Sequence, residues 1–173
     1  MPTPLGHALA GIAVAGVASS GRRLPAAHLG ILVFCATAAD LDLVLRFIDG
    51  VNHHRGASHS FGAAVLVAVV GFVLGRLGVK LPAVKAMSAA WASHVVLDFL
   101  GLDTAPPFGE MALWPVSTDF YVSPIAVFYD VRRSFSWSAL RHNAVAVAIE
   151  LVVLVPIVLL CWRSFPFRKS KTQ

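Results

Sequence analysis

Apolar residues in this chain gather into long runs instead of alternating with polar ones. The runs cover 26–39, 61–75, 83–100 and 144–162, with a shorter one at 8–20. Runs of this length, free of a period of two, predict helices, and a helix needs roughly 20 apolar residues to cross a bilayer. Several are therefore marginal in length. Alanine, glycine and serine recur inside them ("HALAGIAVAGVASSG", "SAAWAS"), and such small residues let helices approach closely in a membrane. The pattern predicts an all-α fold: a polytopic membrane bundle of about five helices, with residues 1–173 as one integral membrane domain.

Composition reinforces this picture. A mean hydropathy of +0.75 and only 13% charged residues exclude an ordinary soluble domain. No basic residue precedes the first run and Arg22 and Arg23 follow it, so it is expected to stay in the mature protein and not to act as a cleaved signal. Cys35 and Cys161 both fall inside apolar runs and read as packing residues, not as a disulfide or a thiolate zinc site.

Charge then orients the bundle. With five spans and the N-terminus outside, the inner segments hold nine basic residues, including all four lysines, and the outer segments hold five. That distribution follows the positive-inside rule and puts the C-terminus in the cytoplasm. The basic tail "RSFPFRKSKTQ" accordingly reads as a cytoplasmic anchor, and no nucleic-acid partner is expected.

The same topology collects the acids on the outer side. Asp40, Asp42, Asp49, Asp98, Asp103, Glu110, Asp119 and Asp130 fall at or beyond the outer ends of spans, and only Glu150 lies within a run. His7, His53, His54, His59 and His94 share that side. Ionisable groups at membrane depth are costly and mark function when they face a bundle interior. His94 and Asp98 in "HVVLD" are four apart, which places them on one helix face about 5–6 Å apart at Cβ. Asp40 and Asp42 are two apart and would diverge on a regular helix; either the helix loosens there, or one binds directly while the other works from behind. In "HHRGASHS" Gly56 permits a tight turn, and Ser58 or Ser60 suits the cap of a helix starting at Phe61.

Metal ligation accounts economically for His7, Asp40, Asp42, His54, His59, His94 and Asp98 together. A set of imidazoles and carboxylates with no thiolate suits zinc, manganese or iron, and seven candidates exceed the needs of one catalytic zinc. One or two divalent ions are expected, a pair lying roughly 3.5–4 Å apart. His28, His53 and His142 are left out of the set.

Five segments carry a resemblance: "HALAGIAVAG", "AADLD", "HRGASHS", "HVVLD" and "LWPVS", over residues 7 to about 117. In order and approximate spacing they resemble the membrane-bound metal-dependent hydrolases that include the LexA-regulated bacterial inner-membrane members. Ser58 stands where that family commonly has threonine, and Ala39 where proline often precedes the acidic pair. The resemblance implies metal-dependent hydrolysis at the bacterial inner membrane, with His54, His59, His94 and Asp98 carried over first and His7, Asp40 and Asp42 after them. A looser likeness to zinc-dependent phospholipases C suggests phosphoesters.

The long outer segment, 101–143, is rich in aromatics, including Phe108, Trp114, Phe120, Tyr121, Phe128, Tyr129, Phe135 and Trp137. It reads as an interfacial belt or as a lid that admits lipid. The expected chemistry is metal-activated water attacking a phosphoester of a lipid headgroup or lipid-linked intermediate. Asp42 would take the proton, and Arg55 would steady the developing charge. The alternative is a cation-binding transporter or metal-handling protein built on the same cluster; ligands for transport usually sit near the midplane.

Overall fold

The computed structural model describes residues 1–20, 22–104 and 106–163. The basic tail beyond Arg163, read above as a cytoplasmic anchor, lies outside the described residues. Five helices of twelve residues or more carry the fold: α1 (Pro4–Ser19), α2 (Ala26–Thr37), α4 (Phe61–Arg76), α5 (Val84–Phe99) and α6 (Trp137–Arg163), with a short α3 (Asp42–Asp49) between the second and third of them. Among the described residues no strand forms; two isolated bridges, Gly101 with Phe128 and Glu110 with Tyr121, tie the segment before α6 together.

Small side chains decide how the helices meet. α1 packs against α2, α5 and α6, and α5 also takes α2 and α4. The core between α1, α2 and α5 is built from Ala15, Leu32, Cys35, Ala36, Ala86, Met87 and Ala90, so Cys35 packs as expected and both cysteines are free thiols. On α1, a Cβ at Gly11 would meet the Val33 backbone at 3.0 Å, and one at Gly16 would meet the Trp162 ring at 2.8 Å. These glycines bring α2 and α6 close to α1, which is how small residues act where apolar burial alone gives little preference.

α1 shows why a helix starts where it does. Pro4 occupies its first turn, where the missing N–H costs nothing, and the Thr3 side chain accepts from Gly6 N at 3.4 Å. The Thr3 backbone N–H and hydroxyl both donate to the buried Glu150 carboxylate, each at 2.5 Å. Glu150, the one acid inside an apolar run, is therefore level with the start of α1 and serves as an anchor for it. Counting from Trp137, α6 begins thirteen residues earlier, about 20 Å further out along its axis.

Much of the exterior is apolar. Val65, Leu66, Val69, Phe72 and Val73 are exposed along α4, as are Val145, Val152 and Ile157 along α6. α6, with 27 residues, is the one described helix both long and apolar enough to cross a membrane by itself; α1 and α4 are apolar but have 16 residues each.

α1 and α4 begin, and α2 and α5 end, at the same end of the bundle. The segment before α6 folds over that end. Ala112 and Trp114 carbonyls accept the first free amides of α4, Phe61 N at 2.9 Å and Gly62 N at 3.1 Å. A Cβ at Gly62 would lie 2.1 Å from the Trp114 oxygen, so this docking requires glycine. Phe128 departs from the expected aromatic belt: it is buried with Ala10, Leu97 and Leu154, while Phe108, Phe120, Tyr129, Phe135 and Trp137 are exposed.

Candidate metal centre

The chain leaves α-helical geometry where the two aspartates lie. α2 stops at Thr37, a 3-10 turn covers Ala38–Leu41, and α3 starts at Asp42. This change of pitch lets Asp40 and Asp42 both serve the same histidine from opposite sides. Asp40 Oδ1 lies 3.6 Å from His59 Nε2 and 3.7 Å from His94 Nε2. Asp42 Oδ2 lies 3.1 Å from His59 Nδ1.

The loop 51–60 then fixes the imidazoles. Gly56 N donates to His53 O at 3.0 Å and His59 N to Gly56 O at 2.9 Å, closing a tight turn in which Arg55 adopts a φ of 66°. Ser60 is the residue that caps α4, accepting from Ala63 N at 3.0 Å. Ser58 braces the site instead. Its hydroxyl donates to Asp42 Oδ2 at 2.6 Å, and its carbonyl accepts from Trp91 Nε1 at 2.9 Å.

On the Nε2 side of His59, four elements converge. Asp98 Oδ2 lies 3.4 Å from His59 Nε2 and 3.5 Å from His94 Nε2; Asp98 Oδ1 lies 3.3 Å from His7 Nε2. The His7 and His94 rings stack with centroids 3.8 Å apart. His7, His59 and His94 are wholly buried and Asp98 nearly so. Yet His7 Nδ1 and Nε2, Asp40 Oδ1, His59 Nε2, His94 Nε2 and both Asp98 oxygens have no hydrogen-bond partner among the described residues. Buried polar atoms are almost always satisfied; this many orphans facing one another is a cage for a cation. Asp40, His59, His94 and Asp98 are positioned to hold a metal ion, with His7 beside them.

The tautomers agree with that role. His94 Nδ1 donates to the Ala36 carbonyl at 2.8 Å, leaving the Nε2 lone pair aimed inward. His59 Nδ1 faces Asp42, which leaves its Nε2 free in the same way. Outer hydrogen bonds of this kind orient ligating histidines in metal sites.

On the Nδ1 side of His59, the second group of Asp42, His54 and His59 is also close enough to grip an ion, but its atoms are already engaged. Asp42 Oδ1 takes His54 Nδ1 at 3.0 Å, and Oδ2 takes Ser58 and His59. Burial disfavours the Asp42 carboxylate, but hydrogen bonds from His54, His59 and Ser58 outweigh it and hold the carboxyl well below the usual range. Burial likewise disfavours a charged His59, and the neighbouring carboxylates of Asp40, Asp42 and Asp98 outweigh this and raise its pKa to about 10. The two groups share only His59, through opposite ring nitrogens. Two ions so bridged would stand about 6 Å apart, from two metal–nitrogen bonds of about 2 Å and the width of the ring, beyond the roughly 3.5–4 Å of a two-metal pair.

All seven residues expected as ligands thus meet at one end of the bundle, divided between a bare side and a satisfied one. Arg55 is engaged beside the cage: its Nη1 pairs with Asp103 and donates to the Pro107 carbonyl at 3.1 Å. Of the histidines set aside, His53 pairs with Asp49 at 2.6 Å and His142 with Asp130 at 2.9 Å. Glu110 is the residue that motif reasoning passed over. It is 2% exposed, neither carboxyl oxygen has a hydrogen-bond partner, and it lines a cavity of about 10 Å³ with Arg55, Asp98 and Asp103, room for about one water. Burial, with the charge of Asp98, pushes its pKa up to about 9. A lone glutamate in "FGEMALWP" carries no periodic or spacing signal that could have marked it.

The model of the YdjM inner membrane protein family matches residues 1–169. The chain belongs to that family. No curated protein and no solved structure matches it. YdjM membership agrees with the apolar exterior and the membrane-length α6, and it makes this a membrane protein whose family name places it at the inner membrane.

Proposed function

We infer that this YdjM-family chain is a membrane-embedded metal-dependent hydrolase acting on a phosphoester presented by membrane lipid. The observation that carries it is the set of buried, unpartnered nitrogen and oxygen atoms of His7, Asp40, His59, His94 and Asp98 facing one another. A mixed imidazole and carboxylate cage without thiolate suits zinc, with manganese or iron as further candidates. The division at His59 favours a single ion. The polytopic arrangement is supported by the apolar faces of α4 and α6 and by the alternating directions of α1, α2, α4, α5 and α6; the arginine and lysine asymmetry favours a cytoplasmic C-terminus.

Asp40, His59, His94 and Asp98 would hold the ion, with His7 as a further ligand through Nε2. When bound, such an ion lowers the pKa of water and polarises a phosphoryl oxygen. The chain's own residues set the conditions for this. Asp42 keeps His59 and His54 in fixed tautomers, a role that occupies both its oxygens and leaves proton transfer to another group. Glu110, protonated at neutral pH beside the water-sized cavity it shares with Asp98, can give a proton to a leaving oxygen. Arg55 joins the loop 51–60 to the covering segment through Asp103. That segment acts as a lid over the Glu110 and Asp98 side of the cage.

The test is elemental analysis of detergent-purified protein, wild type beside Asp98→Ala and His59→Ala, followed by product analysis after incubation with a panel of lipid phosphomonoesters, diesters and diphosphates. One equivalent of a transition metal, lost in both variants, together with turnover is expected. Bound metal without turnover of any phosphoester would favour cation handling instead.

A further inference from the structure

A large cavity of about 720 Å³ opens beside the cage, with Asp40 and His54 in its wall. That volume suits a drug-sized ligand, far more than one phosphate ion. Its charge is lopsided. Arg46, Arg132 and Arg133 line it, and none of them forms an ion pair with a described carboxylate. The acids that line it are committed elsewhere: Asp40 faces His59 and His94, and Asp130 accepts from Thr104 at 2.8 Å and pairs with His142 at 2.9 Å.

The backbone that carries the arginine pair is anchored at Arg132. Asn143 on α6 grips the Arg132 backbone from both sides, accepting from Arg132 N at 2.9 Å and donating to Arg132 O at 2.9 Å. His142, one residue earlier, holds the Asp130 carbonyl at 2.9 Å. Side chains of α6 thus fix the backbone at Arg132, next to Arg133, in the wall of a cavity that reaches Asp40 of the cage. Guanidinium forks match phosphate oxygens in bidentate geometry.

Resting on the hydrolase reading, we propose that the substrate carries a diphosphate group, bound with one phosphate at the cage and the other on Arg46, Arg132 and Arg133. A zwitterionic diester headgroup would bring its cation beside Arg46, Arg132 and Arg133, so the charge of the cavity disfavours it. Hydrolysis forms a bond from water oxygen to the terminal phosphorus and breaks the bridging P–O bond. The electron pair stays on the bridging oxygen, leaving a monophosphate on the carrier and free phosphate, with water's protons shared between these products and solvent. Leu43, Leu102 and Val131 in the same wall offer the carrier an apolar surface.

The experiment uses metal-loaded full-length protein in detergent, wild type beside Arg132→Ala/Arg133→Ala and Arg46→Ala. Calorimetry with inorganic pyrophosphate and with a prenyl diphosphate should show binding at least tenfold weaker in the double variant and several-fold weaker in Arg46→Ala. Metal content should be unchanged, which certifies that the variants fold. Equal binding in all three proteins overturns the proposal, as does faster hydrolysis of phosphatidylcholine, read as phosphocholine or phosphatidate formed, than phosphate release from the prenyl diphosphate. Tighter binding of the prenyl diphosphate than of pyrophosphate identifies a lipid source, and equal binding a soluble one. Arginine-dependent binding with no turnover of any substrate would sink the hydrolase reading while the diphosphate site stands.

Discussion

The two faces of His59 differ in one respect that decides their chemistry. Around Nδ1, Asp42, His54 and Ser58 satisfy one another; around Nε2, Asp40, His94, Asp98 and His7 leave their inward atoms bare. Both groups contain the same residue types at similar separations, so residue type alone does not mark a metal site. Hydrogen-bond accounting separates them: the closed network orients its members, and the open one is positioned to hold an ion.

That contrast can be broken most severely on the open side. Asp98→Ala removes the residue that lies against His7, His59 and His94, and complete loss of bound metal is expected by elemental analysis, with the chain still helical by circular dichroism. Retained metal would move the site elsewhere. His59 should next give the cage its pH dependence. With a folded pKa of about 10, the metal-free imidazole is protonated at neutral pH, so binding must release that proton. Affinity should rise about tenfold per pH unit below pH 10 for this one proton, measurable by competition with a chelator. In the metal-free protein the sign reverses: His59 stabilises the fold fully below its ordinary 6.5, and that contribution is lost as pH rises through about 10.

The closed side should respond more gently. Asp42→Asn keeps the shape but weakens the hold on His59, and about 10- to 100-fold loss of metal affinity is expected, the usual cost of removing an outer partner. A loss as complete as that of Asp98→Ala would make Asp42 a ligand. Glu110 affects stability instead of affinity. Its carboxyl keeps its proton to about pH 9 when folded and only to about 4.5 when unfolded, so its own contribution to stability is fully present below pH 4.5 and falls by up to about 1.4 kcal/mol per pH unit between the two values. Glu110→Gln should flatten that slope in urea titrations of the metal-free protein. Ser58→Ala should cost least, about 1 kcal/mol or roughly fivefold in metal affinity, and Ser58→Thr should restore it because only the hydroxyl is needed.

Much of this site was legible in the sequence because spacing on helices is regular. His94 and Asp98 fall on one face of α5 at four residues apart, and the apolar runs locate α2, α4 and α5 within a few residues, whereas α6 begins at Trp137, inside the segment read as outer loop. The split at the acidic pair was open: two residues apart on a helix diverge, and only the 3-10 turn at Ala38–Leu41 shows how both reach His59. The cap was open too, since Ser58 and Ser60 are equally suited by type, and it is the demand of Asp42 for a donor that assigns them. Glu110, the pairing of Arg55 with Asp103, and the place of Glu150 beside Thr3 depend on contacts between distant segments, which no local pattern encodes. The same holds for Phe128, an aromatic in an aromatic-rich loop whose burial follows from where the loop folds back.

The shortness of α1 and α4 has a consequence for the lipid. Sixteen residues of helix span about 24 Å, against a hydrocarbon core about 30 Å thick. On the polytopic reading, the surrounding bilayer must thin to meet these helices, and headgroups are drawn down toward the end of the bundle where the cage and the arginine-lined cavity open. A lipid phosphate would then reach the metal centre by lateral diffusion, without being lifted out of its leaflet.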